Sequence, residues 1–67
     1  MKKIYYVQVN DTMTQAKVML TEDEARAVAY VLEEVAKKDK DALVEIKDED
    51  YGEILYSNYD EWIETHR

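Results

Sequence analysis

The stretch DEDYGEILYSNYDEW, residues 48–62, gathers six carboxylates, three tyrosines and the only tryptophan of a 67-residue chain. Side chains of these types can hold a divalent cation, move protons, or present a surface to a basic partner. A calcium loop requires acids at its first, third and fifth positions, glycine at the sixth and glutamate at the twelfth. With Gly52 as the sixth, Lys47 falls first, Tyr51 fifth and Asn58 twelfth, so three ligand places fail. No metal site is expected.

Acid–base or nucleophilic catalysis needs a base within reach of a reacting group. His66 is the one histidine and stands next to the last residue, where a cation on a helix C-terminus explains it. Ser57 has no neighbouring base and reads as a helix cap. Glu33 and Glu34 are adjacent on a helix and point to different faces. With a single glycine there is no phosphate-cradling loop. The chain is expected to be neither an enzyme nor a cofactor protein.

Charge is more informative. The net charge is −7, and its distribution is uneven: residues 1–20 carry +2, residues 21–38 carry −2 and residues 39–67 carry −7. Such a field repels nucleic acid and anionic lipid and favours a basic protein surface. Neither direct nucleic-acid binding nor membrane binding is expected. The residues expected to meet a basic partner are Asp48, Glu49, Asp50 and Tyr51 in a turn, with Asp60 and Glu61 at the start of a helix. The bland alternative is that these charges only keep a small protein dissolved and blunt its sheet edges. Of the six tyrosines, Tyr5 and Tyr56 read as sheet packing. Tyr51 has less structural reason to be where it is, and Tyr30 lies off the helix's apolar stripe.

In size, charge and aromatic content the chain is similar to small acidic, cysteine-free proteins encoded by bacteriophages and mobile elements. Many of those imitate the phosphate spacing of nucleic acid and occupy the basic groove of a DNA-binding enzyme. The resemblance is one of composition, without a family motif. It implies a non-enzymatic accessory or regulatory module of a bacterium or phage, with nucleic-acid mimicry as its sharper form.

The elements that position these residues are legible. Residues 3–9 (KIYYVQV) are β-branched and aromatic, with Tyr5, Val7 and Val9 on one face and Ile4, Tyr6 and Gln8 on the other. Turn residues follow at 10–14, and a second alternating strand covers 15–20. Thr21 with Glu24 makes a capping box, Glu22 and Asp23 suit the first turn, and Lys37 and Lys38 suit the last. Between them Ala25, Val28, Val31, Leu32, Val35 and Ala36 recur at helical spacing, which predicts a helix over 22–38. Residues 42–47 and 53–57 are strands, joined where Gly52 supplies a positive φ. Ser57 or Asn58 caps a short helix carrying Tyr59, Trp62 and Ile63. Trp62 must hold this helix against something, since so short a helix is marginal alone.

The resulting fold is α+β, ββαββα, one domain over residues 1–67. Its four-stranded antiparallel sheet runs in the order 2-1-3-4, with the long helix on one face and a short C-terminal helix. Ile4 and Tyr6, with Leu43 and Leu55 placed opposite their strands' other apolar residues, make the second face partly apolar. That face is expected to meet the C-terminal helix, a second subunit or a partner. A purely structural homodimerising domain is therefore the alternative function. Lack of cysteine, of a signal-peptide core after Lys2 and Lys3, and of a long apolar segment leads to the expectation of a soluble cytoplasmic protein.

Overall fold

The long helix begins where the chain offers it two ready hydrogen bonds. In the computed structural model, which describes residues 1–10 and 15–67, the Glu24 backbone N–H donates to Thr21 Oγ1 at 3.1 Å. The Thr21 N–H in turn donates to Glu24 Oε1 at 2.8 Å. Two of the four N–H groups that a helix start leaves unpaired are thus satisfied reciprocally. The elements are β1 (Lys3–Val9), β2 (Ala16–Leu20), α1 (Glu22–Lys38), β3 (Val44–Asp48), β4 (Ile54–Ser57) and α2 (Tyr59–Thr65). The turn expected over 10–14 lies outside the described residues, except Asn10, whose φ of 68° is left-handed. Gly52 has a φ of 66°, as the hairpin requires.

The sheet order is β2-β1-β3-β4, all neighbours antiparallel. β1 is central and aligns Tyr5 with Val18 and Asp48, and Val7 with Ala16 and Ile46. Its helix-facing side, with Val44 and Ile46 of β3, packs on Ala25, Leu32 and Ala36 of α1. Two of those three helix residues are alanines, so the helix backbone comes close to the sheet. In β4 the register shifts: Ile46 aligns with Tyr56 and Lys47 with Ile54. Leu55 is the extra residue, and it packs against the core instead of joining the second face.

The apolar stripe of α1 is narrower than its spacing predicts. Val31 is 57% exposed, because α1 lies mainly over β3 and β4 and only grazes β1 and β2.

On the second sheet face Tyr6 is flanked in a way the sequence pattern hides. The Tyr6 ring lies between two ammonium groups, Lys17 Nζ at 5.7 Å and Lys47 Nζ at 6.0 Å from its centroid. Its hydroxyl donates to Glu49 Oε1 at 3.2 Å. Beside it, Gln15 Nε2 donates to Glu45 Oε2 at 3.2 Å. Lysine stems and cation–π contacts shield the aromatic ring, while Met19 on the same face is 61% exposed.

The short helix α2 packs elsewhere, against the connection between α1 and β3. Trp62 Nε1 donates to the Asp41 carbonyl at 3.1 Å, and the His66 ring stacks on the indole with centroids 4.2 Å apart. Asn58 holds the N-cap position without a side-chain cap bond, and Ser57 Oγ, one residue earlier, accepts from the Tyr59 N–H at 3.2 Å. The Asn58 side chain is used differently. It is buried; its Oδ1 accepts from the Val44 N–H at 2.9 Å and its Nδ2 donates to the Ala42 carbonyl at 2.8 Å.

Two stability effects follow. Thr21→Ala should cost about 1 kcal/mol in denaturant unfolding. The Thr21 N–H bond holds the Glu24 carboxyl below its ordinary value of 4.5. A depressed folded-state pKa contributes stability above the unfolded value and loses it as pH falls through the folded one. Glu24→Gln should therefore differ from the parent at neutral pH and converge with it below pH 4.5. Separately, Asn58→Ala leaves a buried N–H and a buried carbonyl unpaired, and should cost about 2–4 kcal/mol.

Candidate protein-interaction surface

Carboxylates of the same type do two opposite jobs in the β3–β4 hairpin. Asp48 closes β3 facing the helix layer and is only 5% exposed. Its backbone N–H donates to the Glu53 carbonyl at 2.9 Å, and its own carbonyl accepts from the Gly52 N–H at 3.0 Å. Its Oδ1 accepts from the Tyr51 N–H at 3.0 Å, which holds the turn from beneath. Lys3 Nζ stands 3.8 Å from Asp48 Oδ2 and 3.9 Å from Glu22 Oε1, and 5.8 Å from the Tyr51 ring centroid. Burial pulls the Lys3 pKa down, but the Asp48 and Glu22 carboxylates and two nearby tyrosines outweigh it, and the net shift is upward. Asp48 is thus a structural anion whose cation comes from β1.

Glu49 is also engaged. Its N–H donates to the Ile4 carbonyl at 3.1 Å, and its half-buried carboxylate receives the Tyr6 hydroxyl. Asp50 and Tyr51 project from the turn into solvent, Tyr51 at 81% exposure. Asp60 and Glu61 are exposed on the first turn of α2. The turn precedes β4 and α2 follows it, so the two pairs stand at opposite ends of the strand. Four residues at strand rise separate them by about 13 Å. The six expected residues therefore form no single cluster.

Other carboxylates fill the interval. Glu53 is exposed at the start of β4. Between the two ends, Tyr56 has its phenol pushed above its ordinary 10.0 by burial, with the Glu61 and Glu33 carboxylates adding to the shift. Negative groups from the hairpin, α1 and α2 thus follow the β4 edge of a molecule measuring 39 × 21 × 16 Å. Glu33 and Glu53 were absent from the sequence-based set. Spacing within α1 puts Glu33 on the flank shared with Arg26 and Ala29, but nothing local says that this flank faces β4.

An open cleft of about 480 Å³ lies between the first half of α1 and the hairpin, lined by Lys3, Tyr5, Glu22, Arg26, Asp48 and Leu55 among others. Its cations are paired within the chain, Lys3 as described and Arg26 with Asp23 at 3.8 Å. Among the described residues, no three His, Asp or Glu side chains gather into a metal-binding group. No described helix is long and apolar enough to cross a membrane.

No family model, curated protein or solved structure matches this chain.

The Lys3–Asp48 pair lends itself to a double-mutant cycle. Lys3→Met leaves Asp48 buried without its cation and should lower the unfolding midpoint. Asp48→Asn, which retains the acceptor for Tyr51, should be milder. The double variant should lose less than the two single losses added together.

Proposed function

We propose that the protein is a non-enzymatic interaction module whose acidic β4 edge binds a basic protein surface. The carrying observation is the ordering of carboxylates along that edge: exposed Asp50 and Glu53 at the hairpin, half-buried Glu33 beside Tyr56, and exposed Asp60 and Glu61 on α2. Asp48 and Glu49 take other roles within the fold, so they support the surface and do not present it.

Two features favour a partner over mere solubility. The carboxylates sit on a hairpin held by Asp48 and a helix held by Trp62, so their spacing is set by secondary structure. Exposed tyrosines interleave with them, Tyr51 at the turn and Tyr59 on α2, and tyrosine is enriched where proteins bind one another. A strip of anionic groups about 13 Å long on a rigid support suits the basic groove of a nucleic-acid-binding protein. Nucleic-acid mimicry by a bacterial or phage accessory protein is the finer form of this proposal.

The test is capture from a bacterial lysate by the immobilised protein, compared with a variant carrying Asp50→Lys, Glu53→Lys, Asp60→Lys and Glu61→Lys. Exposed, unpaired carboxylates contribute little to stability, so the variant should keep its fold by circular dichroism. The parent should retain basic proteins at about 0.1 M salt and release them near 1 M, where the screening length falls from about 10 Å to 3 Å. Duplex DNA should compete with the capture, and the variant should capture none of the same proteins. Equal capture by both forms would reduce the acidic edge to a solubilising surface.

A further inference from the structure

At the sheet's other edge the chemistry reverses. β2 is an outer strand, and no described strand pairs with its far side. Its sequence, AKVML, contains no acid and a single charge, Lys17, which is directed to the second face over Tyr6. Val18 belongs to the side that α1 covers, since it aligns with the buried Tyr5, yet it is 37% exposed. The reason is the sideways offset of α1 toward β3 and β4.

The helix contributes the other wall. Arg26, Ala29 and Glu22 line the cleft on the hairpin side. At 100° per residue Val28, Val31 and Val35 lie on the opposite flank, toward β2. Val28 and Val35 are half-buried, and Val31 is 57% exposed. An apolar step therefore runs beside an open strand edge, with Val18 and Ala16 as its floor and Val28 and Val31 as its wall. A sheet edge of this kind leaves backbone groups that only another extended chain can pair, and natural edges are ordinarily protected by charge or proline. Here Lys17, turned to the second face, is the strand's one charge, and no proline interrupts it.

We infer that β2 is a homodimer edge, pairing antiparallel with β2 of a second copy to make one continuous eight-stranded sheet. Charge selects the occupant. The β2 edge belongs to the segment carrying +2, whereas the last 29 residues carry −7 and lie across the sheet. Among closed two-fold edge pairings, joining at β2 keeps the acidic β4 edges of the two copies farthest apart, whereas a head-to-tail β2–β4 contact would not close. The strand is also self-complementary. A two-fold axis at Val18 sets Val18 against its copy, Lys17 opposite Met19, and Ala16 opposite Leu20, so no like charges face each other. Both helices then lie on the same side of the joined sheet, and the exposed Val18 and Ala16 of the two copies make one continuous apolar floor between them. This interface is separate from the acidic β4 edge and does not depend on its function.

Sedimentation equilibrium of the whole chain, over micromolar to near-millimolar concentration, tests it. The expected result is reversible association to twice 7.9 kDa, persisting at high salt because the step is apolar. Val18→Lys, at a 37% exposed position, sets two ammonium groups face to face across the two-fold axis and should weaken association about tenfold or more. Tyr30→Lys, exposed on the helix's outer side, should leave it unchanged, and Met19→Glu, which on the second sheet face meets Lys17 of the second copy, should leave it intact or tighten it. A single 7.9 kDa species throughout would overturn the inference. A dimer lost with Met19→Glu but not with Val18→Lys would overturn it too, by placing the contact on the second face. If the chain stays monomeric yet binds an extended peptide at β2, the occupant is a foreign strand and the second copy is ruled out.

Discussion

The buried amide of Asn58 is the constraint on which the acidic half of the molecule depends. Its two side-chain bonds reach the Ala42 carbonyl and the Val44 N–H, and its own backbone N–H donates to the Val44 carbonyl at 3.2 Å. One residue thereby continues the β3–β4 ladder past the last residue of β4, where the main chain already turns into α2. It fixes where β3 begins, where β4 ends, and the direction in which α2 departs. An amide suits this place because it carries both an acceptor and a donor. Aspartate, of nearly the same shape, has no hydrogen for Ala42 when ionised.

A second buried polar group governs the opposite end of the same hairpin. Asp48 grips the turn through the Tyr51 N–H, and Lys3 balances its charge from β1. The hairpin is therefore held at one end by an amide and at the other by a carboxylate. Among the described residues no buried side-chain nitrogen or oxygen lacks a partner. Rigid ends are what allow the intervening edge to present Glu53, Glu33 and Glu61 at a defined spacing.

Much of this architecture was legible in the chain because its signals are local. The capping box, the alternation in β1 and β2, the valine and alanine spacing of α1 and the single glycine each act within a few residues, and all agree on ββαββα. The candidate surface was less legible. Asp48 and Asp50 are two residues apart and chemically identical, and only the alignment of Asp48 with Tyr5 across the sheet turns one inward. Asn58 looked like a helix cap because its alternative partners lie 14 and 16 residues away. The lysine cover over Tyr6 and the offset of α1 likewise arise from contacts between elements, which spacing within one element does not encode.

The wiring of the sheet has a further consequence, for how the chain reaches this state. β1 with β2, and β3 with β4, are neighbours in sequence, so each pair can zip with little loss of chain entropy. The seam that unites them is different. Tyr6 and Glu49 meet across 43 residues, and the β1–β3 pairing closes the longest loop in the molecule. Neither hairpin buries enough apolar surface to persist alone. The centre of the sheet is therefore also its latest and most cooperative feature, because the entropy of loop closure concentrates there. A cut anywhere in α1 would separate two fragments that each lack a core, so the protein has no independently stable half.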